Sequence, residues 1–223
     1  MSNKDYDAKQ ILNYRLFLLN KGYTKAALEK IGNSPVYKLY CEGALYNTLI
    51  TSYMMLNERE YSDAEIVRMT MVHPPLAAVS ATRFDDRTDF FKSWEYSSED
   101  IHKILYEMPS LTGYSKNNLT EKLTLFKALN ALSAVTHDSR IMIQSVALTY
   151  ARYWVCSKHD IEIDEMNIRC LFAGDKYFTK RFGYPKDRIL NRYPYNGEIE
   201  DIRNNQNKIA NAKIKSKTVV KND

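Results

Sequence analysis

Apolar residues return every three or four positions along most of this chain, and short polar breaks containing Gly, Pro, Ser or Asp separate the runs. Ile11, Leu12, Arg15 and Leu19 keep helical spacing and predict a helix over about Asp5–Leu19, stopped by Gly22. Thr24 then caps a short helix, with Tyr23 and Leu28 spaced as a hydrophobic staple and Gly32 just past its end. Ser34-Pro35 reads as a restart, because proline's fixed φ suits the first helical position. The run to Leu56 keeps Val36, Tyr40, Ala44, Ile50, Tyr53 and Met54 on one side.

Ser62 and Glu65 form a capping box for a helix that ends near His73-Pro74-Pro75, and another short helix follows the prolines. The charged stretch Arg83–Asp89 reads as a loop. Ser98 caps a helix carrying Ile101, Ile104, Leu105 and Met108, ended by Pro109. Leu119, Leu123, Phe126, Leu129 and Leu132 predict a helix over 118–135, and Asp138 caps the next, through Ile141, Val146, Tyr150 and Trp154. Asp164 and Glu165 open a further helix that closes on Lys180 and Arg181 before Gly183, acids early and bases late as the helix dipole favours.

Alternation suited to a strand is confined to Ile161, Ile163 and the residues around Val219, each stretch too short to stand alone. The expected fold is therefore all-α: an irregular multi-helix bundle with a basic, extended C-terminal tail. The paired helices 24–31 and 35–56 suggest a helical hairpin, but no fixed period follows them, so the sequence predicts no repeat array. The expected organisation is a helical domain over 1–195, with a subdomain break near 73–97, and a basic extension over 196–223.

Composition adds a core and a charge asymmetry. Of 223 residues, 44% are hydrophobic, enough to bury a sizeable interior. The 32 Lys+Arg exceed the 27 Asp+Glu by five, and Arg203–Asp223, with six bases and one acid, carries that whole excess. Counted from Lys176 the C-terminal part holds twelve bases against five acids, a net +7, which leaves −2 for the residues before it. Three cysteines, Cys41, Cys156 and Cys170, sit in apolar runs and predict reduced thiols. The polar start MSNKDYDAKQ is unlike a secretory signal, and no apolar run approaches a membrane span. An intracellular, cytoplasmic setting or the interior of a viral particle is expected, without a membrane partner.

The candidate site lies in the cationic part. Lys176, Lys180, Arg181, Lys186, Arg188 and Arg192 interleave with Tyr177, Phe178, Phe182, Tyr184, Tyr193 and Tyr195, and Arg203, Lys208, Lys213, Lys215, Lys217 and Lys221 continue the charge. Cations neutralise phosphates and aromatic faces stack on bases. Tyr and Arg also dominate protein–protein hot spots, and Phe178 and Phe182, four apart, suit core packing. The expectation is a non-enzymatic structural or adaptor protein of a larger assembly, a nucleoprotein complex or viral particle. It would dock on protein subunits through this region, with self-association open and direct nucleic-acid binding by the basic tail as the second reading. No cofactor, metal or catalytic residue is assigned.

Other patterns carry enzyme chemistry. His102, His137-Asp138 and Asp175, in that order on helices, resemble the HD-domain metal phosphohydrolases. That resemblance implies divalent metal on these side chains and a metal-activated water. Ser139-Arg140 stand where that family has small apolar and glycine residues. Asp85-Asp86-Arg87-Thr88-Asp89 matches the aspartate-rich motif of isoprenoid synthases, which implies magnesium and a diphosphate, but no second metal motif follows it. Cys156, His159 and Cys170 offer three of the four ligands a structural zinc needs. No Walker A loop, GxGxxG or GxSxG is present.

Overall fold

A computed structural model describes residues 6–208. The protein is all-α, as the periodicity predicts; among the described residues no strand forms and no helix is long and apolar enough to cross a membrane. It divides into two compact units after Tyr114. Residues 73–97, where a subdomain break was expected, lie inside the first unit. Unit 1 holds α1 (Ala8–Asn20), α2 (Lys25–Gly32), α3 (Glu42–Asn57), α4 (Asp63–Val72), α5 (Ala81–Lys92) and α6 (Ser98–Glu107). It also holds two 3-10 turns, Pro74–Ala78 and Pro109–Gly113. Unit 2 holds α7 (Lys116–Ala128), α8 (Ala134–His137), α9 (Val146–Lys158), α10 (Asp175–Phe182) and α11 (Lys186–Arg192), with 3-10 turns at Ser139–Ile143 and Ile168–Phe172. Residues 200–208 are helical as well.

The long helices end in one way. The backbone N–H groups of Tyr23, Tyr61, Tyr96, Ala131 and Ile161 donate to carbonyls five residues back, on Leu18, Leu56, Phe91, Phe126 and Cys156, at 2.9–3.4 Å. The residue before each donor is left-handed: Gly22, Glu60, Glu95, Asn130 and Asp160. This Schellman arrangement satisfies carbonyls that a helix end leaves open. After the three tyrosines the chain caps its next helix at once, with Thr24, Ser62 and Ser97. Ser62 pairs reciprocally with Glu65, and Ser97 with Asp100. The helices so started bury Leu28 and Ile31, Ile66 and Met69, Ile101 and Ile104, five and eight residues past each tyrosine.

Helices α4, α6 and α8 also end alike. His73, Met108 and Asp138 adopt φ/ψ of −134°/78°, −130°/69° and −155°/88° and lead into 3-10 turns that bury Leu76, Leu111 and Ile141. One extended residue, then Ser80, Ser115 or Ser145, starts the next long helix. The pattern of long helix, Schellman end, short helix and 3-10 turn therefore recurs, contrary to the expectation of no repeat. Its period is hidden because α3 runs to 16 residues and α8 shrinks to 4.

Several boundaries differ from the sequence reading. Arg83–Asp89 is helical, because Phe84, Arg87 and Phe91 share the buried side of α5. Residues 35–39 form turns, and α3 starts only after Cys41. Ser97 caps α6 in place of Ser98, since an acid three residues on completes the box. The run 118–135 breaks at left-handed Asn130. Asp138 opens a 3-10 turn, and Ser145 caps α9. Asp164 accepts from the N–H groups of Met166 and Asn167 and so makes a turn; the helix starts at Asp175.

Of the expected extension over 196–223, residues 200–208 form a helix that packs within unit 2, and 209–223 lie outside the described residues. Ile202 is fully buried. Asn205 Nδ2 donates to Tyr153 Oη and Ser157 Oγ at 2.8 and 2.9 Å, Gln206 Nε2 to the Ile163 carbonyl at 3.0 Å, and Tyr150 Oη to Asp201. The Val219 stretch lies outside the described residues.

Left-handed backbone costs an L-residue about 1–2 kcal/mol, and glycine returns part of that gain through its unfolded-state entropy. Glu95, exposed at φ 67°, carries this strain. Glu95→Gly is expected to stabilise the protein by about 0.5–1 kcal/mol, read as a raised midpoint in urea denaturation.

Candidate partner interface

Helix α10 buries Phe178 and Phe182, whose ring centroids lie 4.5 Å apart, and α11 buries Ile189 while packing on α9. With those positions turned inward, the candidate cations Lys176, Lys180, Arg181, Lys186, Arg188 and Arg192 are exposed, as are Arg203 and Lys208. Among the described residues, ion pairs reach only Lys186, at 3.9 Å from Asp175, and Arg203, at 2.9 Å from Glu200, within this set. Tyr184, Tyr193 and Tyr195 are half-buried. Arg188 lies over the Tyr184 ring at 5.5 Å, Lys158 and Arg192 over Tyr193 at 5.5 and 5.8 Å, and Tyr195 meets Tyr150 at 5.3 Å. The protein's own cations and rings thus engage these tyrosines, and Tyr177 is the one left 59% exposed. Lys213, Lys215, Lys217 and Lys221 lie outside the described residues.

Arg152, which the sequence reading did not single out, holds the base of α10. It is 1% exposed in the middle of α9. Nη1 donates to the carbonyls of Leu171 and Ala173 at 2.7 and 2.6 Å and to Gln144 Oε1 at 3.1 Å. Nη2 donates to Asp175 Oδ1 at 2.6 Å, and the guanidinium lies 4.5 Å from the Phe178 ring centroid. Burial lowers its pKa, and the Asp175 carboxylate opposes that shift.

Two more buried cations occupy the same place in their helices. Arg87, Lys122 and Arg152 each stand seven residues past the caps Ser80, Ser115 and Ser145. Arg87 donates to the Tyr114 carbonyl, Lys122 to that of Gln144 and Arg152 to that of Ala173. Each acceptor is the residue just before the cap position of a later helix, α7, α9 or α10. Burial lowers the pKa of Arg87 and of Lys122 as well. For Arg152 alone a signal was legible, a lone cation inside the apolar run Val146–Cys156.

The enzyme-like patterns are spent on other contacts. His102 Nε2 meets Glu65 Oε1 at 3.1 Å while its ring stacks on Tyr61 at 4.0 Å, on the wall of a cleft of about 300 Å³ in unit 1. His137 Nδ1 lies 3.0 Å from the Ser133 carbonyl, and Asp138 takes Arg140 in a two-point contact at 2.7 and 3.0 Å. Asp175 belongs to Arg152. His159 turns its ring toward Phe182 at 5.3 Å. Of the aspartate-rich motif, Asp85 is held by both Arg59 Nε and Nη2 at 2.7 Å. Among the described residues no group of three or more His, Cys, Asp or Glu side chains is placed to hold a metal. No family model matches this chain, and no curated protein matches it in sequence.

Removing Arg152 strands three acceptors and a carboxylate around a buried site. Arg152→Met is expected to destabilise by about 3–5 kcal/mol, whereas Lys180→Ala, on the exposed side of α10, stays within about 0.5 kcal/mol; urea denaturation measures both. A second expectation concerns acid. The Arg59 guanidinium holds the Asp85 carboxyl below the usual carboxylate range. Its stabilisation is complete above the unfolded-state pKa of about 4 and is lost as pH falls through the lower folded value. Asp85→Asn should therefore melt lower at neutral pH and lose less on acidification than the parent, in thermal melts followed from pH 7 downward.

Proposed function

We propose that this chain is a non-enzymatic adaptor of a larger assembly, and that the exposed cations of α10 and α11 dock it on an acidic protein surface. One observation carries the reading: these helices turn Phe178, Phe182 and Ile189 inward and keep six cations in water on a base fixed by Arg152. Tandem helical units commonly serve as binding scaffolds, which is in keeping with the recurring helix pairs. The charge division agrees, since unit 2 holds 19 Lys+Arg against 12 Asp+Glu, a net +7, and unit 1 holds 13 against 15, a net −2. Protein is favoured over nucleic acid as the partner because Tyr184, Tyr193 and Tyr195 are engaged by neighbours of their own chain, which leaves few free rings for bases to stack on.

The test is gel filtration of cell extracts containing the tagged full chain, with and without nuclease. The parent chain is expected in a high-mass, nuclease-resistant complex. Lys176→Glu/Lys180→Glu/Arg188→Glu should shift to the position of the free chain with its thermal melt unchanged. A parent chain that elutes free, or a triple variant that stays in the complex, overturns the reading. Collapse of the complex under nuclease transfers the surface to nucleic acid, with affinity that falls steeply with salt.

A further inference from the structure

We propose that Cys156 and Cys170 are a redox modification site, forming a reversible disulfide that ties the 3-10 turn Ile168–Phe172 to α9. The inference is independent of the docking partner. The two sulfurs lie 3.8 Å apart, a direct contact between residues fourteen positions apart in the chain. Cys156 is fully buried, Cys170 half-buried, and both are free thiols.

The recurring pattern gives the pair a meaning that the distance alone does not. Cys156 is the residue whose carbonyl accepts the Schellman bond at the end of α9. The same position holds Leu18, Leu56, Phe91 and Phe126 in the other long helices. Cys170 is the third residue of its 3-10 turn, where the other turns hold Leu76, Leu111 and Ile141. Apolar side chains thus fill both positions elsewhere, and in one repeat alone both become cysteine together. A single buried cysteine is an ordinary small apolar residue; two that take positions apolar elsewhere and lie in direct contact supply the pair a disulfide requires.

Local electrostatics assigns the roles. The hydrogen bond with Cys156, and then the Arg181 and Arg152 guanidiniums, hold the Cys170 thiol below its usual range, while the shared hydrogen bond and burial push Cys156 up. Cys170, the more accessible, attacks a peroxide: its thiolate takes one oxygen to become a sulfenic acid, and hydroxide leaves. Cys156 sulfur then attacks the Cys170 sulfur, the S–O bond breaks and a second hydroxide leaves, protonated by the thiol's own proton or by solvent. In sum two thiols and one hydrogen peroxide give one disulfide and two waters. The bridge closes the segment between the two residues and pins the turn whose Leu171 carbonyl, with that of Ala173 beyond it, Arg152 holds, so it braces the base of α10.

The test uses the full chain in a Cys41→Ser background, which removes the exposed thiol and puts a favoured cap at the start of α3. The reduced protein is treated with one equivalent of hydrogen peroxide and mapped with trypsin without reductant. Peptides 153–158 and 170–176 are expected to be joined, two hydrogens lighter than their sum, and separated again by dithiothreitol. The bridged chain should melt about 5–10 °C higher. In Cys156→Ser, Cys170 should be trapped as its sulfenic acid by a 1,3-diketone; in Cys170→Ser, Cys156 should remain a thiol. Oxidation of Cys170 to the sulfinic acid beside a free Cys156, bridges formed only between chains, or a bridged chain that melts lower than the reduced one would each overturn the proposal.

Discussion

A buried cation seven residues into a long helix, donating to the last carbonyl before a later helix, is the contact on which the packing turns. That carbonyl belongs to an extended residue, with ψ of 150° at Tyr114, 145° at Gln144 and 147° at Ala173, and no helix supplies it with a donor. A charged group taken out of water is costly unless its hydrogen bonds are met; here one or more donors of each cation meet an acceptor with the complementary need, while Arg87 Nε and Nη1 and Arg152 Nε are buried without a hydrogen bond. The bond has a direction and a fixed length, so it sets the register between helix and turn in a way that Leu and Phe contacts do not. Arg152 carries the heaviest share because a planar fork reaches several acceptors where the Lys122 ammonium donates to one.

Two scales of interaction divide the work. Schellman ends and serine caps are local: each involves residues within about one turn, contributes on the order of 1 kcal/mol, and decides where a helix begins and stops. The cations act over 19 to 27 residues and decide what each helix packs against. The first scale was legible in part, since Ser80, Ser115 and Ser145 lack the acid three residues on that marks a capping box, and Asp138 reads as a cap in place of Ser145. Thr24, the Ser62–Glu65 box and the all-α character all follow from short patterns, because the groups that satisfy one another are neighbours in the chain. At Ser97 and Ser98 the pattern was present but misassigned, and only the acid at Asp100 separates the two.

The second scale was not legible. Nothing in Val146–Cys156 tells that Arg152 reaches the Ala173 carbonyl, since periodicity reports which face is buried and not what it meets. The same ignorance hid helix α5: charges at Asp85, Asp86 and Asp89 read as a loop, while the buried Arg87 counted as one more charge. The repeat escaped for a different reason. Its conserved geometry lies in backbone angles and hydrogen bonds, and the sequence spacing between equivalent points stretches with α3 and contracts with α8.

This bears on the cationic surface itself. Arg181 stands seven residues past Gly174, the place that Arg87, Lys122 and Arg152 hold in their own helices. In those three a following helix brings a carbonyl, and the cation is buried. At α10 the helix ends one residue later, at Phe182, and Arg181 stays exposed. One position in the pattern thus has two fates, structural where the chain supplies an acceptor and superficial where it does not. Composition cannot separate them, because both are Lys or Arg near aromatic residues. The separation comes from counting each cation from its cap and asking which carbonyl follows, and by that measure the candidate interface begins where the internal series of acceptors stops.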